Sequence, residues 1–388
     1  MPLSSAKMCA GVEVIEMLQH YLDNAATTQP CAAAVQAALQ VMNETYGNPS
    51  STHTLGRNAK ALLEQCRQDV ATALGAASTG EIVFTSGGSE SDNWAILSSA
   101  RLMKHQGRHI ISSQAEHDAI RQPLELLKKD GFEITMLRPD KTGAISPEAV
   151  LEALREDTVL ISLMMVNNET GAVTDIRGIA DAVRHAGSAA ILHTDAVQGF
   201  KKIPFSARKL GADLISISGH KIHAVKGIGA LYIRNGVRLP SMIVGGSQES
   251  GHRAGTEPLP QIAAFAAACR EDANIQHMLE MKSLTLKMLQ EAVPELRYLA
   301  TDAPHILNVS MPGWRSEVLM NFLESRQVYV SRSSACKQGK RSHVLEAIGM
   351  PSDMIDGALR ISFSRYTAPE DIAALAEGLH EARGLAHR

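Results

Sequence analysis

The sequence predicts an α/β protein: a large domain on a mainly parallel, doubly wound sheet, with a smaller α/β C-terminal domain after it. Two observations predict this. From about residue 55 to residue 235, short apolar runs alternate with longer segments whose apolar positions recur at helical spacing, the β-α-β order of a doubly wound sheet. The runs at 159–166 and 189–193 are apolar on both faces, as strands covered by helices on either side are.

The elements follow in order. A helix is expected over 55–74, where Ala59, Leu62, Leu63, Cys66, Val70, Ala73 and Leu74 share one face. A strand at 81–85 leads through Ser86-Gly87-Gly88 into a helix over 89–104. Strands at 109–112, 159–166, 189–193, 214–218 and 229–233 continue the sheet, and the glycine- and serine-rich stretch 245–251 is a loop. From Pro258 onward the texture changes to long helices, 261–274 and 276–291. A second α/β segment then runs strand 306–310, helix 317–325, strand 328–331, helix 342–348, strand 359–364 and helix 370–383.

Bulk properties exclude several function classes. The 388 residues allow two or three domains, and 45% hydrophobic content is ordinary for a globular chain. With a net charge of −3 and no basic stripe interleaved with aromatics, nucleic acid is not an expected partner. No apolar run approaches the ~20 residues that span a bilayer, so no membrane association is expected. Lys7, Glu13 and Glu16 interrupt the first twenty residues, which therefore do not read as a signal peptide. The five cysteines (Cys9, Cys31, Cys66, Cys269, Cys336) are dispersed and odd in number, as suits a reducing cytoplasm. His220 and His223 sit three apart, yet no nearby carboxylate or cysteine completes a set, and no metal is expected.

Ser89, His117, Asn168, Asp195 and Lys221 each lie just past the C-terminal end of an expected strand. In a parallel sheet those ends share one edge, where open α/β proteins bind ligands. Lys221 closes the run Leu214 to Gly219-His220, and Asp195 follows the neighbouring apolar run. A lysine at one strand tip and an aspartate beside it are what pyridoxal phosphate chemistry needs. The amine forms a Schiff base with the aldehyde, and the carboxylate keeps the pyridine nitrogen protonated. The Gly87-Gly88-Ser89 turn opening a helix offers backbone N–H groups and a positive dipole end to a phosphate.

The chain closely resembles the cysteine desulfurases, in the class V aminotransferase group with the type I pyridoxal phosphate fold. The likeness runs from Tyr21 to the last helix. It is carried by YLDNAATT at 21–28, YGNPSS at 46–51, FTSGGSESDN at 84–93, EH at 116–117, NNETG at 167–171, HTDAVQ at 193–198, SGHK at 218–221, RAGT at 253–256, SSAC at 333–336 and LRIS at 359–362. The resemblance implies a large cofactor-binding domain at 31–275, with 1–30 and 276–388 forming the small domain that carries the cysteine loop. It implies that Lys221 bears the cofactor, Asp195 pairs with its ring nitrogen, Gln198 bonds its phenolate oxygen and His117 stacks on the ring and assists proton transfer. Gly88, Ser89, Ser218 and His220 would hold the phosphate, and Thr256 would reach the phosphate of a partner subunit, which implies a homodimer. Asn168 and Arg360 would bind the substrate carboxylate, and Cys336 would take sulfur from L-cysteine as a persulfide for an acceptor protein. A selenocysteine lyase, or another class V lyase or transaminase, is the alternative on the same scaffold.

This sequence departs from the family pattern in three places. Ala224-Val225 precede Lys226 where many relatives have Gly-Pro. Ser333 stands where glycine is usual. The segment after Cys336, Lys337 to His343, is short and basic where relatives have a longer serine-rich loop. Lys337, Lys340 and Arg341, with Arg332 before them, are expected to lower the Cys336 thiol pKa.

Overall fold

The computed structural model describes residues 19–333 and 341–385. A two-residue strand β1 (His20–Tyr21) leads through an extended segment to α1 (Ala32–Glu44) and α2 (Thr54–Leu74). The sheet strands and their connections follow: β2 (Ile82–Thr85), α3 (Gly88–Met103), β3 (His109–Ser113), α4 (Asp118–Lys129), β4 (Glu133–Leu137), α5 (Pro147–Ala153), β5 (Thr158–Met164), α6 (Ile176–His185), β6 (Ile191–Asp195), α7 (Ala207–Leu210), β7 (Leu214–Ser218) and β8 (Gly229–Ile233).

These seven strands lie in the order β2-β8-β7-β6-β5-β3-β4. From β4 to β7 all neighbours are parallel. Strand β8 is antiparallel to both β7 and β2, so β2 again runs with the parallel set. The C-terminal ends of β2, β3, β5, β6 and β7 therefore share one edge, as the sequence predicts.

Alternation places successive side chains on opposite faces of a strand. Ile110, Leu160 and Leu214 pack with Trp94 and Ile120 of α3 and α4 on one face. Ile111, Ile161 and Ile215 pack with α2, α6 and α8 on the other. Helix α8 (Leu259–Arg270) is almost wholly buried, and its alanines let α1 and α2 approach it closely.

A separate core lies beneath a second sheet. After α9 (Ile275–Ala292) come β9 (Arg297–Tyr298), β10 (Ile306–Ser310), α10 (Ser316–Glu324), β11 (Val328–Tyr329), β12 (Ser331–Arg332), α11 (His343–Ala347), α12 (Ser352–Asp356), β13 (Ala358–Ser362) and α13 (Pro369–Leu385). Four of these strands form the sheet β12-β13-β10-β9. Leu289, Leu307, Leu359, Phe363, Ile372 and Leu379 fill its core, joined by Leu22 from the N-terminal segment. Leu22 is 0% exposed, a burial that stabilises the attachment of that segment by about 1.5–3 kcal/mol. This second core supports the division we propose, residues 31–275 against 1–30 with 276–388.

Several elements differ from the sequence expectations. Strand β4 is unforeseen: it is the sheet edge, its exposed Glu133 and half-buried Thr135 hiding the apolar pattern. Strand β6 extends to Asp195, because the polar His193, Thr194 and Asp195 are buried at the sheet centre. Helix α8 stops at Arg270, and Asn274, in the left-handed region (φ 50°), starts α9. The run 328–331 is two strands: β11 pairs with β1 and β12 with β13.

Candidate functional site

Each edge residue is placed by a local cause. Lys221 ends a single 3-10 turn, Gly219–Lys221, directly after β7. Its Nζ donates to the carbonyls of Ala25 (2.6 Å) and Ala26 (2.7 Å). Gln198 Nε2 donates to the same Ala25 oxygen at 2.9 Å, so the Gln198 amide and the Lys221 amine share an acceptor. Gln198 Oε1 faces His305 Nε2 at 3.3 Å.

Asp195 is the last residue of β6 and is 7% exposed. Its Oδ1 accepts the N–H of Val197 at 2.8 Å. Burial raises its carboxyl above the usual range, while the Val197 N–H and the nearby charge of Lys221 pull it back down. His117 caps α4, with Nδ1 accepting from the Ala119 N–H at 3.1 Å. That bond puts the neutral ring's proton on Nε2 and fixes the ring plane.

Beneath Asp195 lies a polar layer that sequence reasoning missed. His193 Nδ1 meets Ser162 Oγ at 2.9 Å, and its Nε2 meets Ser216 Oγ at 3.0 Å. Burial holds the His193 pKa down at about 3, so the ring is neutral. Asp92 Oδ1 lies 3.6 Å from the same Nε2. Burial, together with the neighbouring Asp195, raises the Asp92 carboxyl well above its usual range. Glu116 is likewise pushed up to about 8 by burial. No sequence signal marked Asp92 as buried, since a helix residue four positions past a glycine turn is ordinarily solvated.

The cradle at the start of α3 depends on glycine. Gly87 has φ +152°, which favours glycine. A Cβ on Gly88 would meet Val197 Cγ2 at 2.7 Å and Ser218 Cβ at 3.7 Å. Helix α3 has no side-chain cap, so its first N–H groups face the turn with the helix dipole behind them. Ser218 is buried and Ser89 is exposed at the mouth. His220 accepts at Nδ1 from, or donates to, Thr27 Oγ1 at 3.1 Å, and its carbonyl receives Thr28. Burial first, then Lys221 and Lys226, lowers the His220 pKa to about 4, leaving a neutral ring.

Arg360 sits in the middle of β13 at 2% exposure. Its Nη2 bonds Asp23 Oδ1 and its Nη1 bonds the Asn168 carbonyl, each at 2.9 Å; its Nε is buried without a partner. The structure thus brings Asn168 to Arg360 through its main chain. Neighbouring Asn167 shapes the turn, its Oδ1 accepting the N–H groups of Glu169 and Thr170. Cys336 lies outside the described residues, but both flanks of its segment are anchored near Arg360. Ser333 Oγ accepts from Asn308 Nδ2 at 2.7 Å, and Ser342 donates to Glu169. Asn308 is the cross-strand partner of Arg360. Two of the basic residues expected to act on Cys336 are paired: Arg332 with Glu317 and Arg341 with Asp356.

Thr256 lies apart from these groups, exposed on the loop before α8. That loop is pinned by Glu249, which forms a buried pair with Arg67 (2.7 Å), and by Arg253, which holds Glu90 in the first turn of α3 (2.9 Å). On the surface, Val35, Leu39 and Met42 of α1 are exposed, as are Tyr46, Leu55 and Val244.

These residues fit pyridoxal phosphate. The glycine cradle with its uncapped helix start suits a phosphate. A buried aspartate without an ion-pair partner among the described residues suits a protonated ring nitrogen, and the lysine amine lies at the end of the neighbouring strand.

The Aminotransferase class-V family profile matches residues 20–375. Cysteine desulfurase IscS of Methanosarcina thermophila is 38% identical over 372 residues, 93% of this chain and 91% of the relative. A solved NifS-like protein superposes with a TM-score of 0.89 at 33% identity, covering 95% of this chain and all of the other. SspA, solved in complex with cysteine, superposes with a TM-score of 0.79 at 31% identity, covering 90% of this chain and all of the other.

Proposed function

We infer that this chain, which belongs to the class V aminotransferase family, is a pyridoxal phosphate-dependent cysteine desulfurase that converts L-cysteine to L-alanine and passes the sulfur to Cys336. One observation carries the reading of the substrate. The segment Asp23–Ala26 binds Lys221 at one end and Arg360 at the other. Three residues of chain reach at most ~11 Å, so one short segment holds the amine and the carboxylate-binding fork in the same part of the site.

Lys221 would hold the cofactor aldehyde covalently, and Gly88, Ser89, Ser218 and His220 its phosphate. Asp195 would keep the ring nitrogen protonated, Gln198 would bond the phenolate oxygen and His117 would cover the ring. The bound cofactor supplies an electron sink for the pair left on the substrate when the Cα proton departs. Lys221, released from the aldehyde, takes that proton at Nζ. Arg360 fixes the substrate carboxylate with the N–H groups left over from Asp23 and Asn168, alongside Asn168. The Cys336 thiolate attacks the substrate sulfur: the S–S bond forms, the C–S bond breaks, its electron pair goes to Cβ and is protonated there, and return of the Cα proton from Lys221 Nζ gives alanine. Turnover of cysteine, selenocysteine and alanine by the purified protein, with sulfide and alanine measured together, tests the assignment. Equal release of alanine and sulfur from cysteine supports it, and transamination without sulfur release overturns it.

Arg360→Ala is expected to weaken cysteine binding by roughly 2–5 kcal/mol, as loss of a buried charged partner does. Arg360→Lys should recover part of this, because an ammonium is a point charge and not a fork. Spectral titration with cysteine measures both; full affinity in the lysine variant would assign Arg360 to the Asp23 pair alone.

We propose a homodimer in which Thr256 completes the partner's phosphate site. The exposed apolar side chains of α1, with Tyr46 and Val244, support such an interface. Mixing Lys221→Ala with Thr256→Ala subunits should restore cofactor-competent sites, since both defects then fall on one site and leave the other whole. No recovery in a verified heterodimer would place Thr256 in its own subunit's site. A sulfur-acceptor protein and a cytoplasmic location complete the reading; among the described residues no helix is long and apolar enough to cross a membrane.

A further inference from the structure

Behind the Lys221 turn, between the two cores, lies a small space lined by Lys202, Ile222, His223 and Arg365. Lys202 is 4% exposed and its Nζ has no hydrogen-bond partner. Arg365 gives Nη1 to the Asp272 carbonyl at 2.7 Å and lies 5.0 Å from the Tyr366 ring centroid. Its Nε and Nη2 are buried and unpartnered. His223 packs edge-on to the Tyr366 ring at 4.9 Å, with Nδ1 bonded to the Gln29 carbonyl at 2.8 Å. Burial first, then the positive charges of Lys221 and Arg365, pushes the Lys202 pKa down to about 7, so the amine stays fully protonated at neutral pH only with a negative neighbour. The buried Lys202 amine and the buried Nε–H and Nη2–H of the half-buried Arg365 line one space with no carboxylate among its lining residues, while Lys201 beside them is satisfied by the Cys269 carbonyl; such donors are costly unless something negative or polar lies between them.

We propose that this space binds a monovalent anion of one heavy atom, of the halide class, held by Lys202 Nζ and by the Nε–H and Nη2–H of Arg365. The space takes a guest about the size of one water, which excludes phosphate and sulfate. Ile222 and His223 follow Lys221 directly in the chain, so the anion sits behind the lysine rather than in the substrate site. There it screens Lys221 from the Lys202 charge. A lone water could satisfy individual N–H donors but would leave the Arg365 charge uncompensated and Lys202 protonated only in part.

The test is a crystal of the holoenzyme grown in bromide. An anomalous bromide peak between Lys202 and Arg365, lost in Lys202→Met, is the expected result. If Lys202→Met fails to fold, Arg365→Gln should lose the peak instead. The wild-type holoenzyme should also melt about 2 °C higher in sodium chloride than in sodium gluconate at equal ionic strength. Absence of a peak in the wild type would overturn the proposal and leave a water beside a neutral lysine. A peak that survives both substitutions would overturn it too, since other groups would then hold the ion.

Discussion

Lys221→Ala is expected to abolish covalent capture of the cofactor and to lower turnover on the order of 10³-fold or more. The variant loses the general base, itself worth about 10²–10⁴-fold, and the covalent anchor together. Borohydride reduction of the wild-type holoenzyme should fix the cofactor on Lys221. Mass spectrometry would read an adduct on Lys226 as a failure of this assignment. The substitution also removes the two bonds from Nζ to the carbonyls of Ala25 and Ala26. Gln198 still reaches Ala25, and Ser362 Oγ still accepts the Ala25 N–H at 2.8 Å. The segment should therefore keep its course, and the variant should fold. Reversible binding of pyridoxal phosphate to the variant, with its phosphate cradle intact, separates loss of the amine from loss of the site.

Cys336→Ser should leave cofactor and cysteine binding intact and stop persulfide formation altogether. The hydroxyl of serine is far less acidic and less nucleophilic toward sulfur than a thiolate. Among the cysteines, Cys66 and Cys269 are buried, and burial pushes the Cys66 thiol up to about 11 and raises Cys269 as well; both should alkylate slowly. Cys336 should alkylate fastest at neutral pH. Arg332 and Arg341 each carry a carboxylate partner. The acceleration should accordingly depend chiefly on Lys337 and Lys340, and neutralising those two together should slow alkylation. Unchanged desulfuration by the serine variant would remove Cys336 from the mechanism and leave a lyase that releases sulfide directly.

The sequence by itself determined the βαβ order, the shared edge and the order of the site motifs, because these rest on local signals. Apolar runs mark buried strands. The Gly87-Gly88 turn marks a close backbone approach, and the structure shows why: a Cβ on Gly229 of β8 would lie 2.8 Å from Gly87 Cα. The tertiary structure alone decided what depends on long-range packing. Asp23 reaches Arg360 across 337 positions of sequence. Asp92, His193 and Ser216 come from a helix and two strands to back Asp195. Lys202 and Arg365 line one space at the boundary of two cores. Their side chains are polar and would read as solvated in any local window. Burial supplied by distant elements, and not the residue type, raises the Asp92 carboxyl, lowers the His193 and Lys202 pKa values and gives the others their place in the fold.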